Sequence, residues 1–210
     1  MLRCCVMRYR LIIFDFDGTL ADTGEFALKA LNEAAKKFRF RQVSRQEAET
    51  LRDMDNRAIV KALGVPMWKL PMIAVYVRKL AEAEGVAPLF PGAAEALAQL
   101  HARGVRLAIV SSNSEAHIRR ALGERAALID FYACEASVFG KAAKMKQVLK
   151  RLRVRPEETL AIGDETRDIE AARRLGIAAG AVAWGYATAE LLDSRGPDHL
   201  FREASQIAAL

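Results

Sequence analysis

Residues 10–20 read RLIIFDFDGTL, an apolar run of Leu11, Ile12, Ile13 and Phe14 that ends in two aspartates, Asp15 and Asp17, with Gly18 and Thr19 directly after them. A short run of this kind, stopped by Gly-Thr, has the character of a strand buried on both faces. The carboxylates then sit where the strand emerges, and in an open parallel α/β sheet ligands bind just beyond the carboxyl ends of the strands. Two like charges crowded there need an offset. A divalent cation supplies one, and carboxylate oxygens suit a hard ion such as Mg²⁺. Gly18 lets the backbone approach an anionic ligand, and Thr19 adds a hydroxyl and an amide. A lone Asp-x-Asp is equally at home in a polar turn, so the rest of the chain has to decide.

Working outward, the pattern changes to helix after Asp22-Thr23-Gly24: Ala27, Ala30, Leu31, Ala34 and Phe38 recur at helical spacing. Further helical stretches follow at Ser44 to Leu51, Asn56 to Leu63 and Pro71 to Glu84, with no strand pattern before residue 105. That is far more helix than a crossover requires. Residues 23–90 therefore read as a helical cap inserted after the first strand, closed by Pro91-Gly92, with residues 1–22 and 91–210 as the core. Within the core a helix over Ala93 to Arg103 leads to a strand over Arg106 to Val110, which ends in Ser111, Ser112 and Asn113. A helix to Leu122 and a strand over Phe131 to Cys134 come next; Gly140-Lys141 opens a helix through Leu152. The strand Thr159 to Ile162 again ends in carboxylates, Asp164 after Gly163 and Asp168 one helical turn on. A helix to Leu175, a fifth strand over Ala178 to Ala183, and a weak C-terminal strand and helix complete the chain. Alternating strand and helix argue for an α/β fold, a doubly wound parallel sheet.

Composition narrows the class. The 210 residues, 52% hydrophobic and 28% charged, suit a soluble globular protein, and no apolar run approaches the ~20 residues of a membrane span. The basic N-terminus meets Asp15 too soon for a secretory signal, and Met7 is an alternative start. Three cysteines, Cys4, Cys5 and Cys134, give neither a disulfide framework nor a zinc spacing, so a reducing cytoplasm is expected. A net charge of +6 admits acidic substrates or nucleic acid. The basic residues are, however, mixed into helix faces and turns, which reads as solvated surface.

Four strand ends thus carry polar groups that one sheet edge brings together: Asp15 and Asp17, Ser111, Lys141, and Asp164 with Asp168. An acid cluster with a metal, a hydroxyl and a lysine is what phosphoryl transfer through a carboxylate nucleophile requires. With DFDGT, the serine, the lysine and GDETRD in this order, the chain resembles the haloacid dehalogenase superfamily, specifically its phosphoglycolate-phosphatase-like branch with a helical cap. The resemblance implies a Mg²⁺-dependent phosphatase acting on a small phosphorylated metabolite. It makes Asp15 the nucleophile and Asp17 the general acid and base. Ser111 and Ser112, with Gly18, Thr19 and Asn113, would hold phosphoryl oxygens, and Lys141 would neutralise charge. Asp164 would ligate Mg²⁺ beside the Asp15 carboxylate and the Asp17 carbonyl, while Asp168 would orient Lys141 or a water on the metal.

Asp17 favours phosphate ester hydrolysis, because the dehalogenases of the superfamily lack a second aspartate. The mutases carry a histidine where this chain has Ala27. Two departures stand out. Ala142, not proline, follows Lys141, with Lys144 as a rival ammonium, and Ser111-Ser112 replaces a common Thr-Asn. Gly140 directly before Lys141 favours Lys141. Substrate choice is expected in the cap, where Arg52, Asn56 and Arg57 lie between two helices and an arginine suits a substrate carboxylate. Trp68 and Lys69 form a second loop, with Trp68 expected in the cap's core. Two other readings are a core that binds phospho-ligands without turnover and a nucleotide or nucleic-acid-end phosphatase. The second lacks a nucleic-acid module. The chain is expected to be a monomer or homodimer without membrane contact, its cap hinged near residues 22–24 and 89–92.

Overall fold

A computed structural model describes residues 8–134 and 140–210. Cys4, Cys5 and the alternative start at Met7 lie outside them. Six strands form one parallel sheet: β1 (Leu11–Phe14), β2 (Arg106–Val110), β3 (Phe131–Ala133), β4 (Thr159–Gly163), β5 (Ala178–Val182) and β6 (His199–Phe201). Their order is β3-β2-β1-β4-β5-β6, which places β1 and β4 side by side at the centre, Phe14 level with Ile162. The order turns back between β1 and β4, the crevice where such sheets bind ligands.

Period-two alternation divides the core. Ile12 and Phe14 of β1, Leu107 and Ile109 of β2, and Leu160 and Ile162 of β4 face one layer, against α5 (Ala93–Ala102), α6 (Glu115–Leu122) and α10 (Ala204–Ala208). Leu11, Ile13, Ala108, Val110 and Ala161 face the other, against α7 (Gly140–Leu152), α8 (Thr166–Arg173) and α9 (Ala189–Ser194). Burial of both faces explains why the strands read as continuous apolar runs.

Between β1 and β2 the chain forms α1 (Gly24–Phe38), α2 (Arg45–Leu51), α3 (Asn56–Ala62) and α4 (Leu70–Ala83). Ser44 caps α2 with a reciprocal capping box through Glu47, and Asp55 caps α3 through Ala58 N–H. Val43, Leu51 and Leu63, with Leu28, Leu31, Phe40 and Ile59, make a small core separate from the two beside the sheet. This is the helical cap. Trp68 is not part of that core and corrects the expectation: it is 70% exposed on a 3₁₀ turn (Met67–Lys69). Lys69 sets its ammonium over the indole while donating to the Phe38 carbonyl, which holds the ring at the surface of the turn. Among the described residues no single helix is long and apolar enough to cross a membrane.

Candidate active site

The turn after β1 is built on buried Phe16, whose carbonyl accepts the amides of Thr19, Leu20 and Ala21. Gly18 takes φ +73°, and a Cβ there would collide with the Asp164 carboxylate, so the residue meets both a conformational and a steric demand. Asp15 is buried; its Oδ1 accepts from Phe16 N–H at 2.7 Å and its Oδ2 from Lys141 Nζ at 2.5 Å. Lys141 also pairs with Asp168 Oδ1. The other Asp168 oxygen accepts from Glu165 N–H at 3.1 Å and closes a capping box on α8. Gly163 makes room for Asp168, since a Cβ at that position would overlap its carboxylate.

Asp164 is fully buried and anchored twice: Thr19 Oγ1 donates to Oδ1 at 2.9 Å and Tyr186 N–H to Oδ2 at 2.8 Å. The Thr19 hydroxyl, expected to face a ligand, therefore serves a carboxylate in this structure. Asp17 is held by Ser111 Oγ and Asn113 Nδ2, each at 3.5 Å. Ser111 Oγ in turn accepts the Asn113 amide at 3.0 Å. Ser112 beside it is exposed. Lys144 points elsewhere, donating to the Ser111 carbonyl at 2.5 Å from the buried side of α7.

The electrostatics follow from burial. Desolvation, and then the neighbouring Asp15 charge, push the Asp17 carboxyl up to about 6. Asp15 is raised by burial against the pull of Lys141, and Asp164 is raised well above the usual range by burial and by Glu165 and Asp15. Burial alone would depress the Lys141 ammonium, but Asp15 and Asp168 outweigh it and hold it above its usual value. Oxygens of Asp15, Asp164 and Asp168 lie within 4.8 Å of one another. An all-oxygen donor set with excess negative charge fits a hard divalent cation. The Asp17 carboxylate is outside that trio.

In the cap, Arg52 donates to the Gly185 and Tyr186 carbonyls and to Glu49, and Asn56 donates to Glu165 at 2.9 Å. Arg57 is exposed. A cavity of about 460 Å³ lies between the cap and the β5 side of the core, lined by Leu28, Arg52, Ile59, Glu165, Trp184 and Tyr186 among others. None of Asp15, Asp17, Ser111 or Lys141 lines it, so this cavity and the acid cluster are separate features of the structure. The sequence reading missed Tyr186 and Thr23, whose hydroxyls meet at 2.5 Å while Thr23 Oγ1 accepts the Gly18 amide at 3.2 Å. The loop after β5, with Trp184-Gly185-Tyr186 past a strand end at the same sheet edge, was the available signal.

Residues 12–182 match the haloacid dehalogenase-like hydrolase family model. The phosphoglycolate phosphatase of Synechococcus elongatus is 34% identical over 199 residues, which cover 93% of this chain and 94% of that protein. The pyrophosphatase PpaX of Oceanobacillus iheyensis is 24% identical over 97% of each chain. A haloacid dehalogenase-like hydrolase structure from Streptococcus pneumoniae shares the fold, with a TM-score of 0.78 over 96% of this chain and 98% of that one at 21% identity. The chain therefore belongs to the haloacid dehalogenase-like hydrolases. Within them it falls in the phosphoglycolate-phosphatase-like branch and is a phosphatase.

Proposed function

We propose that the protein hydrolyses the phosphate ester of a small phosphorylated metabolite through an aspartyl phosphate on Asp15, with Mg²⁺ as cofactor. The observation that carries this reading is the placement of Asp15: a buried carboxylate gripped by Lys141, beside Asp164, at the mouth of the central strand. Asp15 attacks phosphorus, the bond to the leaving oxygen breaks, and Asp17 gives that oxygen its proton. Water then attacks the phosphorus of the acyl phosphate while Asp17 takes a proton from it; the bond to Asp15 breaks and phosphate leaves. A carboxyl raised to about 6 exchanges its proton near neutral pH, which suits both halves of that role. Ser111 and Asn113 aim Asp17, and the exposed Ser112 beside them would offer its amide to phosphoryl oxygens, whereas the Gly18 amide is already given to Thr23 Oγ1 and the Ala21 carbonyl. Lys141 neutralises charge at Asp15, and Asp168 holds Lys141. Asp15, Asp164 and the Asp17 carbonyl would hold Mg²⁺, which when bound supplies charge stabilisation to the transferring phosphoryl group.

Residues 23–90 act as the cap that covers this centre. The compartment we infer is the cytoplasm, from the unpatterned cysteines. The test is phosphate release from a panel beginning with 2-phosphoglycolate and pyrophosphate, the substrates that the relatives' names point to, with Mg²⁺ or EDTA. Turnover with Mg²⁺ and none with EDTA is expected; undiminished turnover in EDTA would contradict the proposal.

A further inference from the structure

One peptide plane joins the cap to the acid cluster. Tyr186 N–H donates to Asp164 Oδ2 at 2.8 Å, and the carbonyl of the same peptide group, Gly185 O, accepts from Arg52 Nη2 at 3.2 Å. The two ends of a peptide group share one resonance-stiffened plane, so a tilt imposed at the oxygen is imposed on the N–H. The guanidinium also polarises the carbonyl and thereby strengthens the amide as a donor. Arg52 clasps the same loop in two further places: Nε reaches the Tyr186 carbonyl at 3.4 Å, and the Arg52 carbonyl accepts Thr188 N–H at 3.1 Å. Gly185 is required where it is, since a Cβ there would overlap Asp164 and press on the Gly18 carbonyl.

We propose that the Gly185–Tyr186 peptide group, gripped from the cap by Arg52, is a positioning element that aims the Asp164 carboxylate at the cation, which makes Arg52 a positioning residue rather than a contact to substrate. This rests on the metal reading given above. Arg52 ties seating of the cap to the orientation of a metal-binding carboxylate. The Tyr186 hydroxyl gives the same loop a hold on Thr23 and, through it, on Gly18.

The experiment is calorimetric titration of Mg²⁺ into the metal-free full chain as wild type, Arg52→Met and Arg52→Lys, with a melting temperature for each and turnover measured across Mg²⁺ concentrations. Arg52→Met weakens Mg²⁺ binding by about tenfold, the low end of the loss on removing a direct partner of a metal ligand, since Arg52 acts on Asp164 through the Tyr186 N–H, and its activity recovers as Mg²⁺ is raised. Arg52→Lys, which keeps the charge and one donor, falls between the two. Equal Mg²⁺ affinity in wild type and Arg52→Lys, and in Arg52→Met where it folds, overturns the proposal. So does a rise in substrate KM at saturating Mg²⁺ with unchanged Mg²⁺ affinity, the mark of a direct substrate contact. A wild type that takes up no Mg²⁺ at all would instead remove the metal reading itself, and the proposal with it.

Discussion

Asp17 shows how much of the chemistry one residue carries in its surroundings. Its carboxyl is half-buried beside Asp15 and, among the described residues, accepts two long hydrogen bonds, so ionising it costs free energy that an exposed aspartate does not incur. A raised folded-state value means that the protein binds this proton more tightly than the unfolded chain does. The resulting stability is complete below about pH 4 and is lost as pH rises through about 6. Asp17→Asn in metal-free protein should therefore match wild type near pH 4 and exceed it at pH 7.5, by about 3 kcal/mol. Melting curves of both proteins across that range check this, and a difference that does not change with pH would refute it. Comparing the two proteins cancels the opposite trend expected from His117 and His199, which burial holds below the usual imidazole value. Asp15, Asp17 and Asp164 were legible from sequence because each comes just after an apolar run, while Lys141 was read from the Gly140 before it and Asp168 from its place one helical turn past Asp164. Gly185 and Tyr186 were not, because they act through a backbone amide and carbonyl that any residue type carries.

At the level of elements, α7 bears on a choice that spacing left open. Lys141 in its first turn reaches Asp15 and Asp168, whereas Lys144, one turn on, reaches back to the Ser111 carbonyl. Lys141→Gln should lower kcat by about 10²–10³, the loss typical of one charge-stabilising group, and should lower the melting temperature of the metal-free protein as well, because the buried Asp15 and Asp168 carboxylates lose their cation. Lys144→Met should instead cost about 1–3 kcal/mol of stability by leaving a buried carbonyl short of a donor, with less than about a tenfold loss of kcat. The reverse pattern, read from kinetics and thermal melts on both variants, would give the catalytic role to Lys144. The strands and α-helices as far as β5 were readable to within about two residues, since strands buried on both faces announce themselves as unbroken apolar runs, whereas the single weak strand and helix read after β5 stand where α9, β6 and α10 lie. The 3₁₀ turn at Met67–Lys69 was harder: Pro66 marks a break, but an apolar run does not say which of its side chains the cap has room to bury.

The whole molecule is a sheet with a second small core riding on it, and two chain crossings connect them. They run side by side: Ala21 and Leu89 form an antiparallel bridge, Phe90 N–H donates to the Leu20 carbonyl at 2.9 Å, and Asp22 N–H to the Pro88 carbonyl at 2.9 Å. Adjacent crossings make a natural hinge. On the far side the cap is fastened to the region after β5 by Arg52, by Thr188 to Asp53 at 2.8 Å, and by Arg195 to Asp55 at 3.3 Å. Crystal structures without ligand and with Mg²⁺ plus a phosphate-mimicking oxyanion should differ by a rotation of the cap about residues 20–23 and 88–92. One cap angle in both would count against hinged closure. An inserted helical domain could be read from the long strand-free stretch, but its seating could not, because that depends on contacts between residues more than a hundred positions apart.

The most direct test of the account is acid quenching of the enzyme during turnover of a ³²P-labelled substrate with Mg²⁺, followed by peptide mapping. Label should appear on the peptide that contains Asp15 and vanish, together with turnover, in Asp15→Asn. Phosphate release by Asp15→Asn at the wild-type rate, with no label on either protein, would contradict it.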